Sequence, residues 1–123
     1  MTRTEQREQT VLLIYLKSMG GSYIEHDYEI EILDSVESVF LHITEIDNII
    51  EKNLTNWTID RLNYVDKSII RYAVYEMKYT DTPYEVIINE AINLTKKYSN
   101  LEDDLAKSFN NKLLDNIKNS IFK

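Results

Sequence analysis

A chain of 123 residues with no cysteine and a formal net charge of −7 is long enough for one domain, residues 1–123, whose core needs no metal or disulfide staple. The missing thiols exclude a disulfide framework, a thiolate zinc site and a cysteine nucleophile. Two glycines and one proline leave few breakpoints, which predicts an all-α protein with short connections, and the negative charge, which on its face argues against nucleic-acid binding, is uneven: residues 1–60 carry four Lys/Arg against twelve Asp/Glu, residues 61–123 ten against nine.

The first helix is predicted from Arg3 to Met19, ended by Gly20-Gly21. Val11, Leu12, Tyr15, Leu16 and Met19 form its apolar stripe, and Arg3 and Arg7, four residues apart, share an exposed face. That face, diluted by Glu5 and Glu8, reads equally as an ordinary solvated surface or as a phosphate-contacting arm. Val11 to Leu16 is too short for a membrane span or a convincing signal peptide, and no longer apolar run exists, so the expected setting is cytoplasmic with no membrane partner. The glycosylation-like triplets at Asn53, Asn56 and Asn93 are then accidents of an Asn-rich composition.

From Tyr23 to Asn53 the pattern is acidic and helical, in two pieces meeting near Asp34. Val36, Val39, Phe40, Ile43, Ile46, Ile49 and Ile50 recur at helical spacing, while Glu37, Glu45, Asp47 and Glu51 face outward. The acidic run from Glu25 to Glu31 reads as a solvated face, and His26 and His42, sixteen residues apart, form no helical metal-ligand pair. The pattern breaks from Leu54 to Ile59, where Trp57 is expected to anchor the connection between two halves of the fold.

The next helix carries Leu62, Val65, Ile69, Ala73 and Met77 inward, with Lys67, Arg71 and Lys78 projecting elsewhere. Tyr72, Tyr75 and Tyr79 flank this face, as a core rim more readily than as a base-stacking platform. A carboxylate beside a buried face needs a partner, so Glu76 or Glu90 is expected to meet Arg71. Thr82, Pro83 and Glu85 spell a capping box with proline at the first helical position, opening a helix whose core face is Tyr84, Ile87, Ile88, Ala91, Leu94, Thr95 and Tyr98. The last helix, from about Asn100 to Phe122, is expected to bury Leu105, Phe109, Leu113, Ile117 and Ile121, joined by Leu101 and Leu114, with Lys107, Lys112 and Lys118 on its outer surface. Glu102-Asp103-Asp104 lacks the glycine and alternating ligands of a calcium loop and reads as a helix start, so no metal or cofactor site is predicted.

Taken in order, Trp57, Arg61-Leu62, Val65-Asp66-Lys67, Ile70 to Glu76, Thr82-Pro83-Tyr84, Val86 to Ile92 and Lys96 to Ser99 resemble the NusB transcription antitermination factors. Phe109, Asn111 and Leu113-Leu114-Asp115 continue the likeness, which covers roughly Trp57 to Ile117; Arg7 and Leu13-Ile14-Tyr15 echo the family's start. The resemblance implies an all-helical domain of two small packed bundles without enzymatic activity. It further implies binding of boxA-type single-stranded RNA together with the ribosomal protein NusE, within an RNA polymerase antitermination complex that reads through terminators in ribosomal RNA operons.

Carried over by position, Arg3 and Arg7 match the family's basic arm. Lys107, Phe109 and Asn111, with Lys112 where the family usually has glycine, match the RNA-binding opening of the last helix. Tyr15 and Glu76 match positions of the NusE partnership or the RNA surface near it. Each has a plainer reading: Tyr15 and Phe109 also fit apolar stripes, and Glu76 can simply pair with a neighbouring base. Asn110 stands where the family has an apolar residue. Two other functions stay open at this point: a helical scaffold that binds protein alone, and a stand-alone relative of the NusB-like domain attached to ribosomal RNA methyltransferases.

Overall fold

The computed structural model describes residues 1–54, 59, 62–99 and 103–122. The expected Trp57 anchor, the Arg61 match and the roles given to Leu101 and Glu102 lie outside these residues. Among the described residues the fold is all-helical: α1 (Arg3–Ser18), a 3-10 turn (Glu25–Asp27), α2 (Ile30–Leu41), α3 (Ile43–Lys52), α4 (Tyr64–Tyr79), α5 (Tyr84–Tyr98) and α6 (Asp103–Ile121). The expectation of two packed helical bundles takes a specific form. Helix α4 touches all five other helices, while α1 to α3 gather on one side of it and α5 and α6 pair on the other.

The composition of α4 explains its central place. Ser68, Ile69, Ile70, Tyr72, Ala73, Val74, Glu76 and Met77 are all buried, so the helix is enclosed nearly all round. Ile14 from α1, Val36 and Val39 from α2, Ile46 and Ile50 from α3, Ile87 from α5 and Leu114 and Ile117 from α6 complete one continuous core. Fully burying each of these aliphatic side chains is worth about 1.5–3 kcal/mol relative to exposure. The Lys67 stem is buried too, against the expectation that it projects outward; its ammonium lies over the Tyr64 ring at 4.9 Å.

The end of α1 follows the sequence closely. Gly20 takes φ +80°, and the N–H of Gly21 donates to Leu16 O at 2.9 Å while that of Gly20 donates to Lys17 O at 3.1 Å. This is a Schellman closure, which needs a residue that tolerates a positive φ. The start of α1 holds a capping box at Thr2 and Glu5: the Glu5 N–H donates to Thr2 Oγ1 at 3.1 Å and the Thr2 N–H to Glu5 Oε1 at 2.9 Å.

At α5 the expected capping box is absent. Pro83 has ψ 139°, which leaves it outside the helix as the residue before Tyr84, and no side chain caps the helix there. The backbone explains the shift: with Pro83 extended, its own carbonyl accepts from Val86 and Ile87 N–H, and Thr82 turns to the Thr80 hydroxyl at 3.1 Å instead.

Three further expectations are corrected. The break between α2 and α3 falls at His42, not near Asp34, because Asp34 lies on a helix whose Ile32 and Val36 pack continuously into the core. The buried face of α1 is Arg7, Thr10, Val11 and Ile14, with Leu13 beside it; Leu12 and Met19 are exposed. In α6 the inward face is Ala106, Asn110, Leu113, Leu114 and Ile117, and Leu105 is 67% exposed. Both helices are rotated by polar residues that find buried partners, as follows.

Candidate nucleic-acid interface

The first of those residues is Arg7, only 5% exposed. Its guanidinium donates through Nε to Glu76 Oε1 at 2.6 Å and through Nη2 to Glu76 Oε2 at 2.9 Å, a planar fork on a planar carboxylate. A third N–H reaches Glu90 Oε1 at 3.1 Å, and the Thr4 hydroxyl donates to the same oxygen at 2.6 Å. One arginine of α1 thus ties α4 to α5. The Glu76 hydrogen bonds hold the Arg7 pKa above its ordinary value, outweighing the opposing effect of burial.

This arrangement overturns two expectations. Arg3 and Arg7 do not share an exposed face: Arg3 is exposed and bonded to Gln6 at 3.2 Å, whereas Arg7 faces the interior. The reason is electrostatic, because two carboxylates make it less costly to bury the guanidinium than to leave them unpaired. Nor does Arg71 meet Glu76 or Glu90. Its fork closes on Asp47 of α3 at 2.8 Å on both nitrogens, fastening α4 to α3.

The other buried polar cluster lies between α4, α5 and α6. The Asn110 amide, 1% exposed, donates to Asp66 Oδ1 at 3.2 Å and to Thr95 Oγ1 at 3.0 Å. Ser99 donates to Asp66 Oδ2 at 3.5 Å, and Thr95 in turn donates to Ala91 O. The buried carboxylate of Asp66 opposite it gives this interior asparagine its partner. No cation pairs with that carboxylate among the described residues, and burial raises the Asp66 pKa despite the hydrogen bonds from Asn110, Asn63 and Ser99.

On the surface, the expected RNA-binding residues fall in two places. Arg3 stands at the free end of α1, with Nη2 3.9 Å from Glu76 Oε2. Lys107, Asn111 and Lys112 are exposed on α6, and Phe109 is half-buried against the core. Of these, Lys107 and Asn111 line an open groove of about 490 Å³ between α5 and α6, together with Asn89, Asn93 and Lys96 of α5. Lys112 and Phe109 are not part of its lining.

A second depression, between the start of α1 and α5, is lined by Thr4, Val86, Glu90 and again Asn89 and Asn93. The two asparagines therefore form the ridge between the arm and the last helix. They lie on the polar side of α5; the sequence marks Asn93 only as part of a chance glycosylation-like triplet and Asn89 only as part of the family likeness, because the apolar periodicity points to the opposite face. Of the expected partner residues, Tyr15 is half-buried on α1 and Glu76 is 1% exposed, with both oxygens on Arg7. A further contact braces α1 on α5: Glu8 accepts from Lys97 at 2.7 Å and from the Tyr98 hydroxyl, and these bonds hold its pKa below the usual value.

Among the described residues no helix is long and apolar enough to cross a membrane. Comparison with known proteins gives a consistent picture. A transcription antitermination protein NusB from Bacillus subtilis is 42% identical over 131 residues, covering 98% of each chain. One from Listeria innocua is 41% identical over 126 residues, 95% of this chain and 96% of the relative. Among solved structures, T. maritima NusB superposes with a TM-score of 0.83 at 23% identity over 97% of this chain and 92% of that one. A crystal structure of the antitermination factors NusB and NusE in complex with dsRNA matches with a TM-score of 0.79 and 27% identity over 98% of this chain and 99% of that one. The model of the NusB family matches residues 5–119, and the chain belongs to the NusB family.

Proposed function

We propose that this protein is a transcription antitermination factor that binds boxA-type RNA together with the ribosomal protein NusE, and so modulates termination by RNA polymerase in ribosomal RNA operons. It acts in the cytoplasm as a single domain and by binding, without catalysis. The observation that carries this reading is its likeness, over 98% of its length, to a NusB that was crystallised with NusE and dsRNA. Near full-length identity of 42% to the Bacillus subtilis NusB supports it.

The electrostatics shape how such binding works. A net charge of −7 repels a polyanion at long range, so the protein alone holds RNA weakly through a few exposed cations, Arg3 and Lys107 among them, and the partner supplies the rest. A titration of boxA-type RNA with and without NusE, at several salt concentrations, tests this. Affinity is expected to rise with the partner and to fall as salt increases. Salt-independent binding, or no binding even with NusE present, would remove the reading.

A further inference from the structure

We propose that the outer face of α2, with the 3-10 turn that precedes it, is a docking surface for a cationic amphipathic helix of a further protein. The proposal does not rest on the RNA-binding reading.

The face lies directly opposite the core side of its helix. Ile32, Val36 and Val39 are buried, whereas Ile30, Asp34, Glu37 and Leu41 recur at spacings of four, three and four and form one outward stripe. Helix α2 packs on α1, α3 and α4, and none of these covers the stripe: Ile30 is 67% exposed and Leu41 79%. Ile24, just before the turn, is 67% exposed as well. Three of the four most exposed large apolar side chains among the described residues thus belong to this one segment. A single exposed aliphatic side chain is ordinary, but their concentration beside charged groups marks a contact surface.

The charge says what kind of partner fits. Between Lys17 and Lys52 the chain holds nine Asp/Glu and no Lys or Arg. Glu45 and Asp47 find cations on α4. Glu25, Asp27, Glu29, Glu31, Asp34 and Glu37 have no cationic partner among the described residues; Glu29 accepts from the neutral Gln6 amide at 3.1 Å. Their field repels RNA and attracts a polycation. Among the described residues no group of three or more His, Asp or Glu is placed to hold a metal ion. Apolar ends with carboxylates between them complement a helix that carries apolar residues eleven positions apart, roughly 16 Å along its axis, with Lys or Arg between. Because the spacing reads the same in both directions, such a helix fits parallel or antiparallel to α2. The residues matched to the NusE partnership, Tyr15 on α1 and Glu76 on α4, are not part of this face.

NMR titration of the isotope-labelled protein with a synthetic alanine-based helical peptide tests the surface. The peptide carries two leucines eleven positions apart, with lysines four and seven positions after the first. Amide shifts are expected to move along α2 and the turn, and the affinity to fall as salt rises. Exchanging the peptide's lysines for glutamates is expected to abolish binding, and exchanging its leucines for alanines to weaken it about tenfold. The variant Asp34→Lys/Glu37→Lys is expected to lose the lysine peptide by at least about tenfold and to gain the glutamate peptide. Ile30→Ser/Leu41→Ser is expected to weaken the lysine peptide about tenfold while keeping its salt dependence. All four substituted side chains are exposed, and circular dichroism is expected to show unchanged helicity. No binding, shifts centred away from α2, or equal affinity for the leucine-free peptide would overturn the proposal. So would displacement of the peptide by NusE, which would give the face to that partner, or self-association abolished by Ile30→Ser/Leu41→Ser, which would give it to a second copy of the chain.

Discussion

Two clusters bury polar groups in this small fold, and they solve the same problem in opposite ways. At the junction of α1, α4 and α5, Arg7 meets Glu76 and Glu90 as full charges in direct contact. At the junction of α4, α5 and α6, Asp66 is solvated among the described residues only by neutral donors, with Asn110 linking it to Thr95. The first cluster compensates charge with charge and raises the pKa of its cation; the second leaves a lone carboxyl whose pKa rises because burial outweighs its hydrogen bonds. The difference teaches where each half is vulnerable: one to loss of a single partner, the other to pH.

The sharpest way to break the contrast is Arg7→Ala. It strands a buried carboxylate at Glu76 and is expected to cost about 3–5 kcal/mol, read as a lower urea midpoint. Adding Glu76→Met to an Arg7→Met background is expected to recover much of that loss, since it removes the fully buried carboxylate and leaves only the partly exposed Glu90 without its arginine. If the double variant is no more stable than Arg7→Ala, the cost of Arg7 loss lies elsewhere than in the stranded charge.

Asn110→Ala comes next, at about 1–3 kcal/mol, the cost of leaving a buried acceptor unsatisfied. It is also expected to push the Asp66 carboxyl, followed by NMR, still higher. An unchanged Asp66 titration in that variant would mean that Asn110 does not solvate the carboxylate.

The pH dependence separates Asp66 from Glu8, a carboxylate on the charged side of the molecule. The native pKa of Asp66 is raised above its ordinary value of 3.8, so the native state holds the proton longer. Stability is therefore lost as pH rises from 3.8 through the raised native value, and Asp66→Asn removes this dependence. Glu8 is lowered from its ordinary value of 4.5 by Lys97 and Tyr98, so its contribution is present above 4.5 and is lost as pH falls through the lowered native value. Glu8→Gln removes that acid-limb dependence, and urea unfolding across this pH range reads both slopes, which must have opposite sign.

The smallest effect concerns the caps. Thr2→Ala, which releases the box that starts the Arg7-bearing helix, is expected to cost about 1 kcal/mol. Thr82→Ala, at the start of α5, is expected to stay within about 0.5 kcal/mol because it caps nothing. Equal losses would restore the capping box first expected at α5.

What could be read from the sequence follows from how local each determinant is. The Gly20-Gly21 stop and the inward face of α5 depend on residues within one or two helical turns; the stop is found as expected, and the face holds Ile87, Ala91, Leu94 and Thr95 as expected, with Ile92 buried beside them. The junction at His42 has neither glycine nor proline to announce it, so periodicity alone misplaced it. Arg7 is decided by partners 69 and 83 residues away, and no local pattern reveals that an arginine four positions from another will turn inward. Asn110 is similar: read alone it suggests exposure, and its burial is explained only by Asp66, 44 residues earlier. In the candidate site, the cations on α6 stand out in the sequence through their family positions, while the ridge of Asn89 and Asn93 emerges only when α1 and α6 are placed on either side of α5.

The placement of Arg3 has a consequence for how the arm works. Glu76 and Glu90 together outweigh the one charge of Arg7, and Arg3 approaches the surplus at 3.9 Å from Glu76. An anion that recruits Arg3 therefore draws it away from a resident competitor built into the protein. The arm's affinity for phosphate is a difference between two attractions, and Glu76, though buried and out of reach of any ligand, sets the threshold that the ligand must exceed.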